Sequence, residues 1–156
     1  MCFALDRIKT ANAASVDNGY SGALYSGTET FSINAGEQKA ITLALGKPKN
    51  SKVTVSPSSA FAEKYELKSL TLNDGTRNIT ISSVGQAAYF PAASTQLTYT
   101  LVADAKAGSQ VQDITSASGT VSIETGKHTT LNLQINPIDP NLVVIDTDTD
   151  YNGEFQ

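Results

Sequence analysis

Polar and apolar side chains alternate along most of this 156-residue chain. In Val121-Ser122-Ile123, and again in Leu131-Asn132-Leu133-Gln134-Ile135, every second residue is apolar. A period of two places successive side chains on opposite faces of a β-strand, whereas an α-helix needs a period of about 3.6. The alternation therefore predicts a chain built mainly from β-strands.

Short turns that contain glycine separate several of the predicted strands. Gly36 lies between arms at 29–34 and 39–45, and Gly126 lies between arms that end at Ile123 and begin at Leu131. Because glycine adopts the backbone conformations of a tight turn without a steric penalty, we expect a hairpin at each place. The shared apolar pattern of the two arrangements suggests two related β-modules, each closed by such a hairpin.

The remaining strands are predicted over 6–11, 52–56, 66–73, 77–82 (after a turn at Asp74-Gly75), 87–90, 96–104 and 142–145. Residues 58–65 break the alternation: a serine cap precedes Glu63, and Phe61 and Tyr65 lie four residues apart, which indicates a turn of helix. About ten short strands, with a turn every 8 to 12 residues, are typical of two packed antiparallel sheets. The predicted fold class is all-β, an antiparallel immunoglobulin-like β-sandwich with one short helical turn near residues 58–65.

The two predicted modules differ in size. Residues 1–46 offer three strands, too few to cover both faces of a core of their own. We therefore expect 1–46 to be a partial β-module, the end of a first sandwich domain, and 47–156 to be a second β-sandwich domain with an acidic tail.

Charge and cysteine content exclude several classes of protein. Fifteen acidic residues against eleven basic ones give a net charge of -4, which argues against nucleic acid as a partner. Cys2 is the only cysteine, so no intrachain disulfide can form. A cysteine this close to the start could carry the acyl chains of a bacterial lipoprotein, and the chain would meet a membrane only through that anchor. An incidental cysteine is the favoured interpretation, because no signal peptide or lipobox precedes it.

The side chains that could support chemistry are few. His128 is the only histidine, follows the Gly126 turn, and is expected to face away from Leu131 and Leu133. The chain has no Gly-x-Ser-x-Gly elbow to present a serine nucleophile. We expect no catalytic residues, no enzymatic activity and no cofactor.

Three carboxylates near the end of the chain form a candidate metal site. Asp146, Asp148 and Asp150 stand at alternate positions, as in the first part of a calcium-binding loop. Tyr151 stands where that loop needs glycine, and the chain ends before the position of the closing glutamate. A solvated acidic tail is the favoured interpretation, and a weak metal site is the alternative.

Two tyrosines form a candidate ligand site. Tyr20 and Tyr25 lie in a stretch rich in glycine and serine, and exposed aromatic rings on β-sandwich modules can stack against sugars. The competing interpretation is a glycine-punctuated connection with Tyr25 packed beneath it.

A pattern of strands and turns links the chain to a known family. It is carried by Tyr25-Ser26-Gly27, Phe31-Ser32-Ile33-Asn34-Ala35-Gly36, Asn50-Ser51-Lys52-Val53-Thr54-Val55, Phe61 and Tyr65, Ala88-Tyr89-Phe90-Pro91, Leu97-Thr98-Tyr99-Thr100-Leu101, and Leu142-Val143-Val144-Ile145-Asp146. From about Asp17 to Glu154 the chain resembles the carboxy-terminal two thirds of an uncharacterised family of Bacteroides-type surface lipoproteins, a domain of unknown function that is fimbrillin-like in style.

The resemblance implies two β-sandwich domains and a non-enzymatic role in adhesion, fimbria-like assembly or envelope scaffolding. It also implies a location at the cell surface or outer membrane, on the extracellular side. Family members begin with a signal peptide, a lipidated cysteine and further strands, so we expect this sequence to be truncated at its amino terminus. The expected partners are other surface proteins or glycans, and a glycan-binding surface component is the alternative function.

Overall fold

The computed structural model describes residues 15–16, 19–20, 22–25, 27, 29–42, 44, 46–139, 141 and 143–150. Within these residues the elements are β1 (Ser15–Val16), β2 (Gly19–Tyr20), β3 (Asn50–Pro57), α1 (Ser59–Lys64), β4 (Tyr65–Asn73), β5 (Asn78–Ile81), β6 (Ala87–Pro91), β7 (Gln96–Ala105), β8 (Ile114–Ser122), β9 (His128–Ile135) and β10 (Val143–Asp150). Predicted residues 6–11, Leu43, Leu45 and Cys2 lie outside the described part of the chain.

The strands form two sheets that pack face to face. One sheet has the order β1-β2-β6-β3-β9-β10, and the other has the order β5-β4-β7-β8. The predicted all-β sandwich is confirmed. Neighbouring strands are antiparallel except for β3 and β9, which run parallel. Between them the chain crosses to the second sheet and back twice, with β6 of the first sheet in between.

Alternation along each strand explains how the core forms. Val53 and Val55 on β3, and Leu131 and Leu133 on β9, point towards the opposite sheet and are almost fully buried. Leu70, Leu72, Ile81, Leu97 and Leu101 of the four-stranded sheet meet them there and are also fully buried. Fully burying one such side chain contributes roughly 1.5 to 3 kcal/mol, so the core is the main source of stability.

The helical turn predicted near 58–65 is confirmed as α1. The Ser58 hydroxyl accepts a hydrogen bond of 3.2 Å from the Phe61 backbone N–H, which satisfies a donor that the first turn of a helix leaves open. The Phe61 and Tyr65 rings lie 5.3 Å apart, and both residues are 1% exposed. The turn therefore closes one end of the core with two aromatic rings.

One predicted hairpin is confirmed and another is wrong. β4 and β5 pair antiparallel around the Asp74-Gly75 turn, where Gly75 has a φ of 93°. The Gly126 turn instead carries the chain from β8 in one sheet to β9 in the other. Alternation indicates which side chains face the core, and both strands do face it, but alternation does not indicate which strand each will pair with.

The predicted hairpin at 29–45 is only partly present. Its turn forms, with a hydrogen bond of 3.0 Å from the Glu37 backbone N–H to the Asn34 carbonyl and a φ of 82° at Gly36. No residue from 29 to 42 belongs to a β-strand. The side chains still alternate in how exposed they are, since Phe31 and Ile33 are half-buried and Ser32 is exposed.

Residues ahead of position 46 contact the six-stranded sheet. Tyr20 of β2 pairs with Tyr89 of β6. The Asn50 amide, which is fully buried, accepts from the Leu24 backbone N–H at 3.0 Å and donates to the Gly22 carbonyl at 2.8 Å. These contacts attach Tyr20, Gly22 and Leu24 to the sandwich, and the division of the chain at residue 46 stays a prediction.

Candidate functional site

The outer face of the six-stranded sheet is polar, and we call it the polar face. On β3, Lys52, Thr54 and Ser56 alternate with the buried valines, and on β9, His128, Thr130 and Asn132 alternate with the buried leucines. The parallel register places Lys52 beside His128, Thr54 beside Thr130 and Ser56 beside Asn132. The described members of the polar face are Tyr89, Lys52, Thr54, Ser56, His128, Thr130, Asn132, Asp146 and Asp148.

The tyrosines predicted as a ligand site lie at one end of this face. Tyr20 is in register with Tyr89, and Tyr89 is in register with Lys52. Burial, and secondarily the charge of the Tyr25 phenolate, raise the pKa of Tyr89. Tyr25 is half-buried.

The aspartates predicted as an acidic tail lie at the other end, and the tail interpretation is wrong for them. Residues 146–150 continue strand β10, with Asp146 opposite Asn132, Asp148 opposite Thr130 and Asp150 opposite His128. They pair because β9 offers unpaired backbone groups along its whole length, and threonine between the aspartates suits a strand. Asp146 and Asp148 are exposed.

The two predicted sites share a face but do not form one pocket. Four inter-strand spacings separate β2 from β10, which is about 19 Å at ~4.8 Å each. Across the described residues, no three His, Cys, Asp or Glu side chains gather closely enough to hold a metal ion. Cys2, the predicted lipidation site, lies outside the described residues.

The centre of the polar face is partly desolvated. The Thr54 hydroxyl and the His128 Nε2 are 2.7 Å apart and share a hydrogen bond. Lys52 is only 7% exposed, and burial lowers the pKa of its ammonium group. His128 faces away from Leu131 and Leu133, as its position after the turn predicted. The polar face carries an aromatic ring, hydroxyls, an amide and charged groups. Such a surface can bind a polar ligand by stacking and by hydrogen bonds.

Among the described strands, four lie at the edges of the two sheets, and they differ in how open their outer sides are. β1 has two residues, β5 has four, and β10 carries exposed Asp146 and Asp148. Short strands and charged side chains are the usual means by which proteins prevent pairing at a sheet edge. β8, at the edge of the four-stranded sheet, has nine residues and neither a charge nor a proline.

Between Ile114 and Val121 the side chains of β8 are small on both of its faces. Ser118 and Thr120 are exposed on the outer face, in register with Thr100 and Thr98 of β7. On the core side Gly119 is half-buried, and a Cβ added there would lie 2.6 Å from the Tyr99 hydroxyl oxygen. The sequence pattern does not predict this strand upstream of Val121, because Ser, Ala, Gly and Thr give little contrast between its faces.

A pocket of about 290 Å³ lies beside α1 and is mostly apolar. Phe61, Tyr65, Leu67 and the exposed Val84 line it, with Lys106 as its one amine. The Lys106 ammonium group donates to the Ala62 carbonyl, so it helps to satisfy the end of α1. The arrangement supports packing of the helix against the sandwich.

Asp74 is the carboxyl group with the largest shift in pKa among the described residues, and its partners are structural. Burial alone would raise the pKa of Asp74, but hydrogen bonds from Thr76, Ser94 and Arg77 outweigh it and hold the pKa well below its usual range. The Ser94 hydroxyl donates at 2.8 Å, and the Arg77 guanidinium donates at 3.1 Å. Asp74 therefore fixes the β4–β5 turn against the residues after β6.

Comparison with known proteins gives the family of the chain. No helix in the described part is both long and apolar enough to cross a bilayer. No curated protein and no solved structure matches the chain. One family matches, over residues 8–155, and its description is "Domain of unknown function (DUF4493)". Because the match spans nearly the whole sequence, the chain belongs to the DUF4493 family.

Proposed function

We propose that the protein is a non-enzymatic β-sandwich module of the cell surface or extracellular space that acts in adhesion, fimbria-like assembly or envelope scaffolding. In this proposal it is related to surface lipoproteins of the Bacteroides type, which are fimbrillin-like in style and have two sandwich domains. The observation that carries the proposal is the open edge of β8.

An open edge supports assembly for a physical reason. The backbone N–H and C=O groups on the free side of an edge strand can pair with an extended segment of another chain. Main-chain hydrogen bonds then supply affinity, and alternate side chains supply specificity. Strands β1, β5 and β10 are short or acidic, whereas β8 is long and uncharged, so β8 is the edge that suits pairing.

The proposal is tested in the cells that make the protein. A membrane-impermeant biotin reagent reports surface exposure, and an amine-reactive cross-linker reports assembly. The blocking variant is S118K/T120K, which adds two ammonium groups to β8, where an incoming strand would have to desolvate them. We expect surface labelling of both proteins and a loss of cross-linked species in the variant.

The matched control is T98K/T100K. These two threonines are the register partners of Thr120 and Ser118 on β7, and they are equally exposed but lie one strand in from the edge. The control should assemble like the wild type. A protein that the reagent cannot reach, or cross-linked species that persist in S118K/T120K, would contradict the proposal.

Glycan binding is the second candidate function, and the polar face favours it. Tyr89 lies beside Lys52 on a face that also carries Thr54 and His128, and the charge of the Tyr25 phenolate contributes to the raised pKa of Tyr89. Aromatic rings next to hydrogen-bonding groups can bind sugars, because a ring covers the apolar side of the sugar while polar groups bind its hydroxyls.

Glycan arrays and retention on polysaccharide gels test this second function. Tyr25→Ala should weaken retention roughly tenfold if the ring stacks on a sugar. Thr71→Ala, on the outer face of the other sheet, is the control and should retain wild-type binding. If no glycan is retained, or if Tyr25→Ala and Thr71→Ala behave alike, the polar face is not a glycan site.

A further inference from the structure

Residues 29–34 have the sequence of a strand but pair with no strand among the residues that the structure describes. Phe31 and Ile33 alternate with Thr30 and Ser32, and the first pair is half-buried while the second is exposed. Between described residues, every hydrogen bond made by residues 29–42 is to another residue of the same stretch. The stretch therefore offers an apolar face and a set of backbone donors and acceptors that the sheets do not use.

The alternation in 29–34 is complementary to the free edge of β8. A strand added to that edge places one set of side chains on the core side, next to the half-buried Ala117 and Gly119. Phe31 and Ile33 suit that side, because apolar side chains there would extend the core beyond Tyr99 and Ala117, which pack at its margin. Thr30 and Ser32 would then continue the hydroxyl rows of the outer face.

The second arm of the same turn fits less well. Residues 37, 39 and 41 share a face, so Glu37 and Lys39 would be carried to the core side together with Ile41. In the first arm only Glu29 shares the face of Phe31 and Ile33, and it stands at the end of the segment. Burial of charge is costly, so the first arm is the better occupant.

We propose that residues 29–34 of one copy of this chain pair with the free edge of β8 in a second copy. The inference rests on the proposed role in assembly and names its partner. Donor and acceptor are different surfaces, so the contact is heterologous and leaves a free donor and a free acceptor at the two ends of each assembly. Each added copy can then accept another, and the product is an open chain of subunits, or a ring where the rotation between copies closes.

Sedimentation velocity over a range of concentrations tests the inference on the purified chain. The donor variant is F31S/I33S, and the acceptor variant is S118K/T120K. Each should weaken self-association more than about tenfold, because the first loses two apolar side chains from the contact and the second places charge at it. Ile41→Ser, a half-buried residue on the other arm of the turn, and T98K/T100K are the controls and should associate like the wild type.

A mixing experiment tests the direction of the contact. F31S/I33S keeps a free acceptor, and S118K/T120K keeps a free donor, so the two variants together should form a one-to-one complex and no longer species. A synthetic peptide of residues 29–34 should compete with wild-type association, which tests the donor without altering the folded chain. Thermal unfolding of each variant confirms that it is folded.

The outcomes separate this inference from the proposed function. Association that is lost in S118K/T120K but unchanged in F31S/I33S, with no competition by the peptide, overturns the inference and leaves the β8 edge as the assembly surface. A wild-type chain that stays monomeric while β8-dependent cross-links form in cells also overturns the inference, because the partner is then another protein. Association that survives in both variants overturns the inference and the proposed function together.

Discussion

The carboxylate of Asp74 illustrates what a single residue contributes to this fold. Sequence patterns predicted the turn at Asp74-Gly75, since both residues are common in hairpin turns. They did not predict that Ser94, twenty positions along, would donate to the same carboxylate. A contact of this kind depends on where the residues after β6 lie, and that is decided by packing.

Asp74→Asn should destabilise the protein by about 2 kcal/mol at neutral pH, because hydrogen bonds to a charged acceptor are lost. The folded-state pKa of Asp74 lies below its ordinary value of 3.8, so the unfolded chain takes up the proton first as the pH falls. Its contribution is complete at neutral pH and is lost below about pH 4. Urea unfolding as a function of pH checks this, and the variant should show a shallower loss of stability in acid.

The control for this measurement is Asp104→Asn, which removes an exposed carboxylate from its contact with Lys68. Surface ion pairs contribute only about 0 to 1 kcal/mol, so this change should be nearly neutral. Equal effects of the two substitutions would show that the hydrogen bonds of Asp74 do not stabilise the turn.

Gly119→Ala should lower the free energy of unfolding by about 1 to 2 kcal/mol, because the new methyl group meets the Tyr99 ring and forces it to move. Gly46→Ala is the control, since a Cβ there meets nothing within 4 Å. Denaturant unfolding measures both. In a protein that also carries Tyr99→Leu, Gly119→Ala should no longer lower the free energy of unfolding. If the loss persisted, its cause would be the backbone conformation at position 119 and not the Tyr99 ring.

At the scale of elements, strands were easier to predict than their partners. The predictions at 66–73 and 96–104 match β4 and β7 closely, since both carry large apolar residues at every second position. Partner choice depends on sheet order, which local alternation does not encode. For this reason the pattern around Gly126 predicts a hairpin, although β8 and β9 lie in different sheets. Alternation also predicts a strand at 29–34, which pairs with no strand among the described residues.

The attachment of the amino-terminal residues to the sheet depends on Asn50. Asn50→Ala should speed the amide exchange of Leu24 and lower the free energy of unfolding by about 1 to 2 kcal/mol. The substitution removes the buried amide that bonds to the Leu24 N–H and the Gly22 carbonyl. Asn73→Ala, at an exposed amide pair on β4, is the control. Unchanged exchange at Leu24 would show that other contacts hold residues 22–24 in place.

At the scale of the whole molecule, the candidate surfaces arise from the order of the strands. The tyrosines and the aspartates were singled out separately in the sequence, and β6, β3 and β9 place them at opposite ends of one sheet face. The open edge of β8 has no signature in the local sequence. Among the described strands it is an edge because only β7 pairs with it.

If charge protects the β10 edge, D146N/D148N should open it. We expect additional self-association that S118K/T120K does not suppress, because it uses a different edge. E63Q/E66Q is the control, since it removes the same charge from exposed positions off the free edges. Sedimentation velocity measures both, and wild-type behaviour of D146N/D148N would mean that charge is not what protects β10.

The central claim is that β8 is an open edge used for assembly, and amide hydrogen exchange at low and high protein concentration tests it most directly. Backbone amides that gain partners exchange more slowly. We expect exchange to slow on assembly at residues 114–122 and 29–34, and to stay unchanged at β5 and β10. Exchange at residues 114–122 that is the same in the monomer and in the assembled protein would contradict it.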